Sequence, residues 1–180
     1  MATHIIYGLN AIKNLLSKNA SIIKKIYIFN LNYRTFKLIK LAEYKNIKTY
    51  YCYSNNYNRF RYLRATYYLI MQVMDIHYSN VKLKTFLKKS NARILMLYKM
   101  QDPHNLASCI RSSEAFGVDC LILTKKDTAK VTTLLHNISH ATSLLIPIFI
   151  IKNIKPVIAL LKKNDIKIIG LSIKARSTTL

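Results

Sequence analysis

The sequence predicts an α/β protein of two units, a small α/β unit followed by a unit built on a parallel sheet. Apolar residues recur along the chain at alternating spacing in some segments and at helical spacing in others. Hydrophobic residues make up 51 % of the 180 residues, which is enough to form a core. From residue 94 onwards, apolar runs alternate with helical segments, as in a parallel sheet with right-handed crossovers.

The first unit covers residues 1–75, and its elements follow from periodicity. Helical spacing of apolar residues predicts helices, and alternation of β-branched and aromatic residues predicts strands. The predicted elements are a helix at 8–18, a strand at 24–29, a helix at 34–44, and strands at 47–53 and 66–75. Residues 76–92 are polar and basic, and we interpret them as a linker.

The second unit covers residues 93–180 and alternates more regularly. Its first segment, ILMLYK at 94–99, is a nearly continuous apolar run, as expected of a buried parallel strand. The elements predicted after it are a helix to about residue 116, a strand at 120–124, a helix at 129–138, a strand at 146–151, a helix at 154–163 and a strand at 166–172. This order predicts four parallel strands joined by helices.

The charge balance points to a polyanionic partner. The chain has 29 basic and 7 acidic residues, a net charge of +22 and an isoelectric point near 10.0. The excess is larger in residues 1–92, with 16 basic residues against 2 acidic ones, than in residues 93–180, with 13 against 5. The first half also holds most of the tyrosines. Basic side chains interleaved with aromatic rings suit RNA, because rings stack on unpaired bases while lysine and arginine contact phosphates.

The cysteines and the hydropathy pattern predict a cytoplasmic protein. Cys52, Cys109 and Cys120 are odd in number and form no CxxC, so neither a disulfide framework nor a zinc ribbon is indicated. The N-terminal residues lack the charged and apolar regions of a signal peptide. The apolar run at 144–151 is interrupted by Pro147 and is far shorter than the roughly 20 residues that span a bilayer.

The most informative segment is DPHNLASCIRSSEAFG at 102–117, directly after a predicted strand. Asn105 is predicted to cap the following helix, and Gly117 stands where a helix often ends. Arg111 lies on a helix that opens at the carboxyl end of a buried strand, the edge where open α/β sheets bind ligands. An amide and a guanidinium there suit a ribose hydroxyl and a phosphate. A capped helix with one arginine is also a common structural element, so the residues alone leave both interpretations open.

The segment DPHNLASCIRSSEAFGVDCLIL resembles the first motif of the SpoU (TrmH) family of RNA ribose 2′-O-methyltransferases. The segment IIYGLNAIKNLL at 5–16 is similar to the start of the substrate-binding domain in bacterial members that methylate a guanosine of 23S rRNA. The resemblance implies an L30e-like RNA-binding domain at 1–75, a linker at 76–92 and a SPOUT methyltransferase domain from 93. It also implies S-adenosyl-L-methionine as cofactor, rRNA as substrate and a homodimer.

The resemblance also implies roles for single residues. The family residue that matches Arg111 contacts the target nucleotide and assists deprotonation of the ribose hydroxyl, and the one that matches Asn105 holds the motif geometry. Leu171 and Ser172 align with a position that contacts the cofactor in relatives. Because arginine has a pKa above about 12, we favour phosphate binding and electrostatic help over proton abstraction for Arg111.

The chain departs from the family pattern in several places. Ala107 replaces the usual glycine of the motif, and Lys99 and His140 also stand where the family often has glycine. The second motif (Gly-x-Glu) and the third (Ile-Pro-Met, then Ser-Leu-Asn) are not found in these 180 residues. In the family, these motifs form the trefoil knot, most of the cofactor pocket and most of the dimer interface. We therefore expect a C-terminally truncated member with an incomplete parallel-sheet domain that lacks the knot.

These departures leave three functions open. The first is an S-adenosylmethionine-dependent RNA 2′-O-methyltransferase. The second is a catalytically inactive RNA-binding remnant of such an enzyme. The third is a fragment that a second polypeptide completes by pairing with an open sheet edge.

Two further groups of residues have competing interpretations. Arg59, Arg61 and Arg64 lie among aromatic residues and are candidate RNA contacts. The alternative is an amphipathic helix that buries Phe60, Leu63 and Tyr67 and leaves the arginines in solvent. His136 and His140 have the spacing of metal ligands on a helix, but there is no HExxH glutamate and no third ligand, so we predict no metal site.

Overall fold

A computed structural model gives the fold and describes residues 3–52, 60–74, 83, 86–87 and 92–171. These residues form seven strands and six α-helices. The strands are β1 (Thr3–Tyr7), β2 (Ile23–Ile28), β3 (Lys48–Tyr51), β4 (Leu69–Met74), β5 (Ile94–Leu97), β6 (Cys120–Thr124) and β7 (Ile148–Ile151). The helices are α1 (Leu9–Lys18), α2 (Tyr33–Tyr44), α3 (Arg61–Thr66), α4 (Pro103–Ala115), α5 (Thr133–Ile138) and α6 (Ile154–Lys163).

The first sheet has four strands in the order β1-β4-β2-β3. Strand β4 runs antiparallel to both of its neighbours, whereas β2 and β3 are parallel. Helices α1 and α2 cover one face, where Ile12 and Leu15 pack with Ile26 in the main core of this unit. The opposite face carries a smaller cluster around Tyr27 and Phe60. Adjacent residues Ile26 and Tyr27 belong to different clusters because successive side chains of a strand point to opposite faces.

The second sheet is parallel throughout, in the order β5-β6-β7. Every residue of the central strand β6 is buried, because helices pack on both of its faces. Leu106 and Ile110 of α4 and Leu135 of α5 pack on one face. Val157 and Leu161 of α6 pack on the other. The parallel α/β class predicted for this unit is confirmed, whereas the L30e-like character of the first unit stays a prediction.

Several predicted elements differ from the structure in their bounds. The strand predicted at 94–99 ends at Leu97, and Lys99 has a positive φ of 55° that no strand residue adopts. The strand predicted at 66–75 begins only at Leu69, because residues up to Thr66 form α3. The helix predicted at 129–138 begins at Thr133. The strand β1 was not predicted, although THIIY is rich in β-branched residues.

The fourth parallel strand, predicted at 166–172, is wrong over the described residues 166–171, which form no strand. Asp165 has a positive φ of 54° directly after α6. Ile169 and Leu171 beyond it are exposed. The alternating pattern of IKIIGL indicates only that this segment would suit a half-buried position in a sheet. A segment forms a strand only where a neighbouring strand pairs with it.

Most of the segment predicted as a linker lies outside the described residues. Of its described residues, Leu83, Phe86 and Leu87 pack beside α6 in the core of the second unit. The domain bounds at 75 and 93 stay a prediction. Among the described residues, none of the helices combines the length and apolar character that crossing a bilayer requires.

Candidate functional site on helix α4

The start of α4 is fixed by Asp102 and Pro103, which follow the carboxyl end of β5. Asp102 Oδ1 accepts a hydrogen bond from the His104 N–H, and Oδ2 accepts one from the Asn105 N–H, both at 3.1 Å. Asp102 is therefore the N-cap, and the prediction that Asn105 caps this helix is wrong. Proline is favoured at the first helical position because it has no N–H to leave unpaired, so the cap falls on the residue before it. Asn105 lies in the first turn with an exposed side chain.

The end of α4 follows the prediction for Gly117. The Val118 N–H donates to the Ser113 carbonyl at 2.8 Å, and the Gly117 N–H donates to the Glu114 carbonyl at 3.0 Å. This pair of bonds is the Schellman arrangement, and it places Gly117 at C′ with a φ of 67°. Glycine adopts this conformation without the steric penalty of a Cβ atom.

Arg111, the central residue of the motif, is anchored by two hydrogen bonds. Its Nη1 donates to the carbonyl of Ile138 at 2.9 Å, and its Nη2 donates to Ser108 Oγ at 2.9 Å. Ile138 is the last residue of α5, and the carboxyl end of a helix attracts cations. A guanidinium has more N–H donors than these two bonds use, so the group keeps capacity for a phosphate or a hydroxyl. The half-buried side chain is thus held in one orientation.

The helix that anchors Arg111 also binds the first sheet. The buried Asn137 amide accepts a hydrogen bond from the Tyr7 N–H at Oδ1 and donates from Nδ2 to the Ile5 carbonyl, both at 2.9 Å. His4 Nδ1 lies 2.7 Å from Thr133 Oγ1. Sequence reasoning missed Asn137, because nothing in its local pattern indicates a partner about 130 residues earlier in the chain.

The two histidines four residues apart do not face a common site. His136 is buried, and its Nδ1 lies 2.7 Å from Ser143 Oγ, which in turn lies 2.8 Å from Ser139 Oγ. His140 is exposed beyond the end of α5. In the described part of the chain, no three potential metal-ligating side chains come together.

Two positions where the resemblance implies glycine adopt a backbone conformation that favours glycine. Lys99 has a φ of 55°, and His140 has a φ of 52°. Ala141, next to His140, is also left-handed, with a φ of 63°. A residue with a Cβ atom costs about 1–2 kcal/mol in this region. Ala107, the third such position, is helical and completely buried.

The remaining candidate residues are only partly described. Leu171 is 98 % exposed, and Ser172 and Arg59 lie outside the described residues. Arg61 and Arg64 lie on α3, but their side chains are outside the described part. The RNA contacts predicted for these three arginines stay a prediction.

The apolar side of the α3 segment is described. Phe60 is buried, and the ring of Tyr67 lies 4.4 Å from that of Tyr7, centroid to centroid. The pKa of the Tyr7 hydroxyl is raised, mainly because the group is removed from water and to a smaller extent because Tyr67 lies beside it. This packing agrees with the buried face of the amphipathic alternative.

Comparison with known proteins gives matches for both halves of the chain. The 23S rRNA (guanosine-2′-O-)-methyltransferase RlmB of Blochmanniella floridana is 27 % identical over 174 residues, which cover 93 % of this chain and 68 % of that protein. The structure of an rRNA methyltransferase from Sinorhizobium meliloti aligns with a TM-score of 0.62 at 15 % identity, over 89 % of this chain and 58 % of that one. The SpoU methyltransferase AviRb from Streptomyces viridochromogenes aligns with a TM-score of 0.64 at 13 % identity, over 91 % of this chain and 59 % of that one.

These structural similarities show the fold. This chain spans somewhat less than two thirds of the length of the two solved structures. Residues 92–179 match the SpoU rRNA Methylase family. The match contains α4 with its Asp102 cap, the anchored Arg111 and the Gly117 terminus. The residues that carry the candidate site are therefore similar to the SpoU rRNA Methylase family.

Proposed function

We propose that the chain acts in S-adenosyl-L-methionine-dependent 2′-O-methylation of a ribose in rRNA, at a guanosine of 23S rRNA. The observation that carries this proposal is the anchored guanidinium of Arg111 within a family motif at residues 102–117. Support also comes from the net charge of +22, which favours a polyanionic substrate.

Arg111 binds the target nucleotide in this proposal. Its guanidinium is fixed before RNA arrives, because the Ile138 carbonyl and Ser108 Oγ already hold two of its nitrogens. Preorganisation of this kind lowers the entropy that must be lost when substrate is positioned. Asn105 lies six residues earlier, about 9 Å along the helix axis, and its exposed amide suits a ribose hydroxyl. Arginine stays charged throughout and so stabilises negative charge rather than removing a proton.

S-adenosyl-L-methionine supplies the methyl group in this reaction, but the described residues do not form a pocket for it at Leu171. That side chain is almost fully exposed, and residues 166–171 form no strand that would bring it to a sheet edge. A homodimer and a cytoplasmic location belong to the proposal. The cofactor contact that the resemblance implies for Leu171 has no support in the described residues, and Ser172 lies outside them.

The exposure of Leu171 favours a second candidate, an RNA-binding module that does not transfer a methyl group. An exposed Leu171 is compatible with RNA binding by the basic residues elsewhere in the chain. In this case Arg111 would be a structural link between α4 and α5.

Methyl transfer from radiolabelled S-adenosylmethionine to unmodified 23S rRNA fragments tests the proposal. We expect transfer by the wild-type chain and a loss of about 100-fold or more in both Arg111→Ala and Arg111→Lys, since lysine lacks the planar fork of donors. Lys162→Ala, an exposed charge on the last turn of α6, is the matched control and should leave the rate unchanged. No transfer by a wild-type chain that binds the same RNA would support the second candidate. Full activity of Arg111→Ala would refute the role of Arg111.

A further inference from the structure

The outer face of α2 carries aromatic rings where a surface helix normally carries polar residues. Tyr33, Phe36 and Tyr44 are 74 %, 53 % and 83 % exposed. Together with Lys37 and Lys40 they form one stripe at helical spacing, which we call the α2 aromatic face. The buried residues of this helix point to its opposite side, and they are Thr35, Ile39 and Ala42.

Two lysines of the α2 aromatic face lie against its rings. Lys37 Nζ is 4.4 Å from the centroid of the Tyr33 ring, and Lys40 Nζ is 5.7 Å from that of Phe36. Lys40 Nζ also lies 3.0 Å from the carboxylate of Glu43. The α2 aromatic face therefore has two places where an aromatic ring lies beside an ammonium group. Each nucleotide of RNA likewise has a base beside a phosphate.

The surroundings of this face are basic. Arg34, Lys45 and Lys48 are exposed on or beside α2, and Glu43 is the one acidic residue between positions 31 and 48. Three exposed rings in one stripe are typical of an interaction surface. An apolar protein surface would leave the surrounding charges without complementary groups, whereas unpaired RNA offers bases for the rings and phosphates for the cations.

The backbone of α2 is firmly fixed without these side chains. The Thr35 N–H donates to Asn32 Oδ1 at 2.9 Å, and the Asn32 N–H donates to Thr35 Oγ1 at 2.8 Å. This reciprocal capping box and the buried face hold the helix in place. Replacing the exposed rings therefore removes a surface without removing the contacts that fold the helix.

We propose that the α2 aromatic face binds unpaired RNA, with bases stacked on Tyr33, Phe36 and Tyr44 and phosphates on Lys37 and Lys40. The inference rests on the RNA substrate of the proposed function but not on methyl transfer. It assigns a surface of the first unit, on a different sheet from Arg111, to single-stranded parts of the substrate.

Binding of a fluorescent single-stranded RNA and of a duplex of the same length, followed by anisotropy, tests this proposal in the full chain. Truncating one ring to alanine should weaken single-strand binding about 10-fold, and truncating all three should weaken it by about 100-fold or more. Duplex affinity should fall far less, since paired bases do not stack on protein rings. Tyr33→Phe with Tyr44→Phe keeps the rings and should keep the affinity.

The lysines give an independent readout. Lys37→Gln with Lys40→Gln should lower the slope of log affinity against log salt by about 1.4, because each phosphate that no longer meets a cation lowers it by about 0.7. The matched control is Phe116→Ala, which truncates a ring that is 78 % exposed at the far end of α4. That change should leave single-strand affinity unchanged.

The proposal is overturned if the triple-alanine variant, with an unchanged melting temperature, keeps single-strand affinity within about twofold. It is also overturned if the variant loses self-association in sedimentation while its RNA affinity stays constant, because the face would then be a protein interface. Failure here is distinguishable from failure of the proposed function. A chain that transfers no methyl group but whose α2 variants lose single-strand affinity refutes only the proposed function. A chain that transfers methyl groups but whose α2 variants keep single-strand affinity refutes only the role of the α2 aromatic face.

Discussion

Replacing Asn137 with alanine should weaken the junction between the two units of the chain. Strand β1 is at the edge of its sheet and pairs with β4 on one side only. On its other side, the Asn137 amide bonds to the Tyr7 N–H and the Ile5 carbonyl as the peptide group of a neighbouring strand would. A third bond, from Nδ2 to the Thr133 carbonyl at 3.0 Å, fixes the amide on α5. Asn137→Ala removes all three.

The magnitude follows from the two bonds to β1. Each hydrogen bond contributes about 1 kcal/mol net, and a buried polar group left unsatisfied costs about 1–3 kcal/mol. Asn137 is buried, so we expect a loss of roughly 2–4 kcal/mol in the free energy of unfolding. At about 2–4 °C per kcal/mol for a chain of this length, the melting temperature should fall by roughly 5–15 °C.

The matched control crosses the same boundary with a weaker contact. Asn14 Nδ2 donates to the His140 carbonyl at 3.1 Å, and this bond is exposed. Asn14→Ala should therefore cost no more than about 1 kcal/mol. Denaturant unfolding measures both changes, and hydrogen exchange at the Tyr7 amide reports directly on the bond to Asn137. Equal destabilisation by the two variants, or an unchanged exchange rate at Tyr7 in Asn137→Ala, would refute this reasoning.

Two further predictions concern the backbone and the cysteines. Lys99→Gly and His140→Gly should each raise the free energy of unfolding by about 1 kcal/mol, because both residues are exposed and have a left-handed backbone. Denaturant unfolding measures this change, and destabilisation by either substitution would contradict the steric argument. Burial, assisted by the charge of Asp119, raises the pKa of the Cys120 thiol to about 12, so little of this thiol is ionised at pH 8. Iodoacetamide, which reacts with the thiolate, should therefore label the half-buried Cys109 before Cys120, and mass spectrometry measures the order of labelling. Equal native labelling of the two cysteines would show that Cys120 is not enclosed in the core.

Elements with a strong amphipathic pattern were predictable from the sequence. The bounds of α6 at 154–163 were predicted correctly, and those of α1 and α2 to within one residue at each end. These helices bury one face against a sheet, so their periodicity reports their packing directly. Segment 166–171 has an equally clear pattern but no strand. Strand formation depends on a pairing partner elsewhere in the chain, which local pattern does not specify.

The position of Arg111 on a helix that ends at Gly117 was predictable from the sequence, but the contacts of Arg111 were not. Arg111 and Gly117 follow from motif spacing, because the helix and its terminus are local. The N-cap was assigned to Asn105 instead of Asp102, since both side chains are good caps and only the position of Pro103 decides between them. The partner of Arg111 is the carbonyl of Ile138, 27 residues away. A backbone carbonyl carries no signature in the sequence, so this contact becomes visible only in the fold.

Consecutive residues of α5 connect the two parts of the proposed RNA-binding surface. Asn137 holds β1 of the first sheet, and the carbonyl of Ile138 holds the guanidinium of Arg111. Helix α2, which carries the α2 aromatic face, packs on that first sheet. The distance between this face and Arg111 is therefore set by a hydrogen-bonded junction rather than by the chain between the units. A ligand that contacts both surfaces must match this distance, and a fixed distance selects among RNA shapes better than two freely moving units do. Asn137→Ala should therefore lower the preference for folded rRNA over unstructured RNA, even where the affinity of the α2 aromatic face for a short single strand is unchanged.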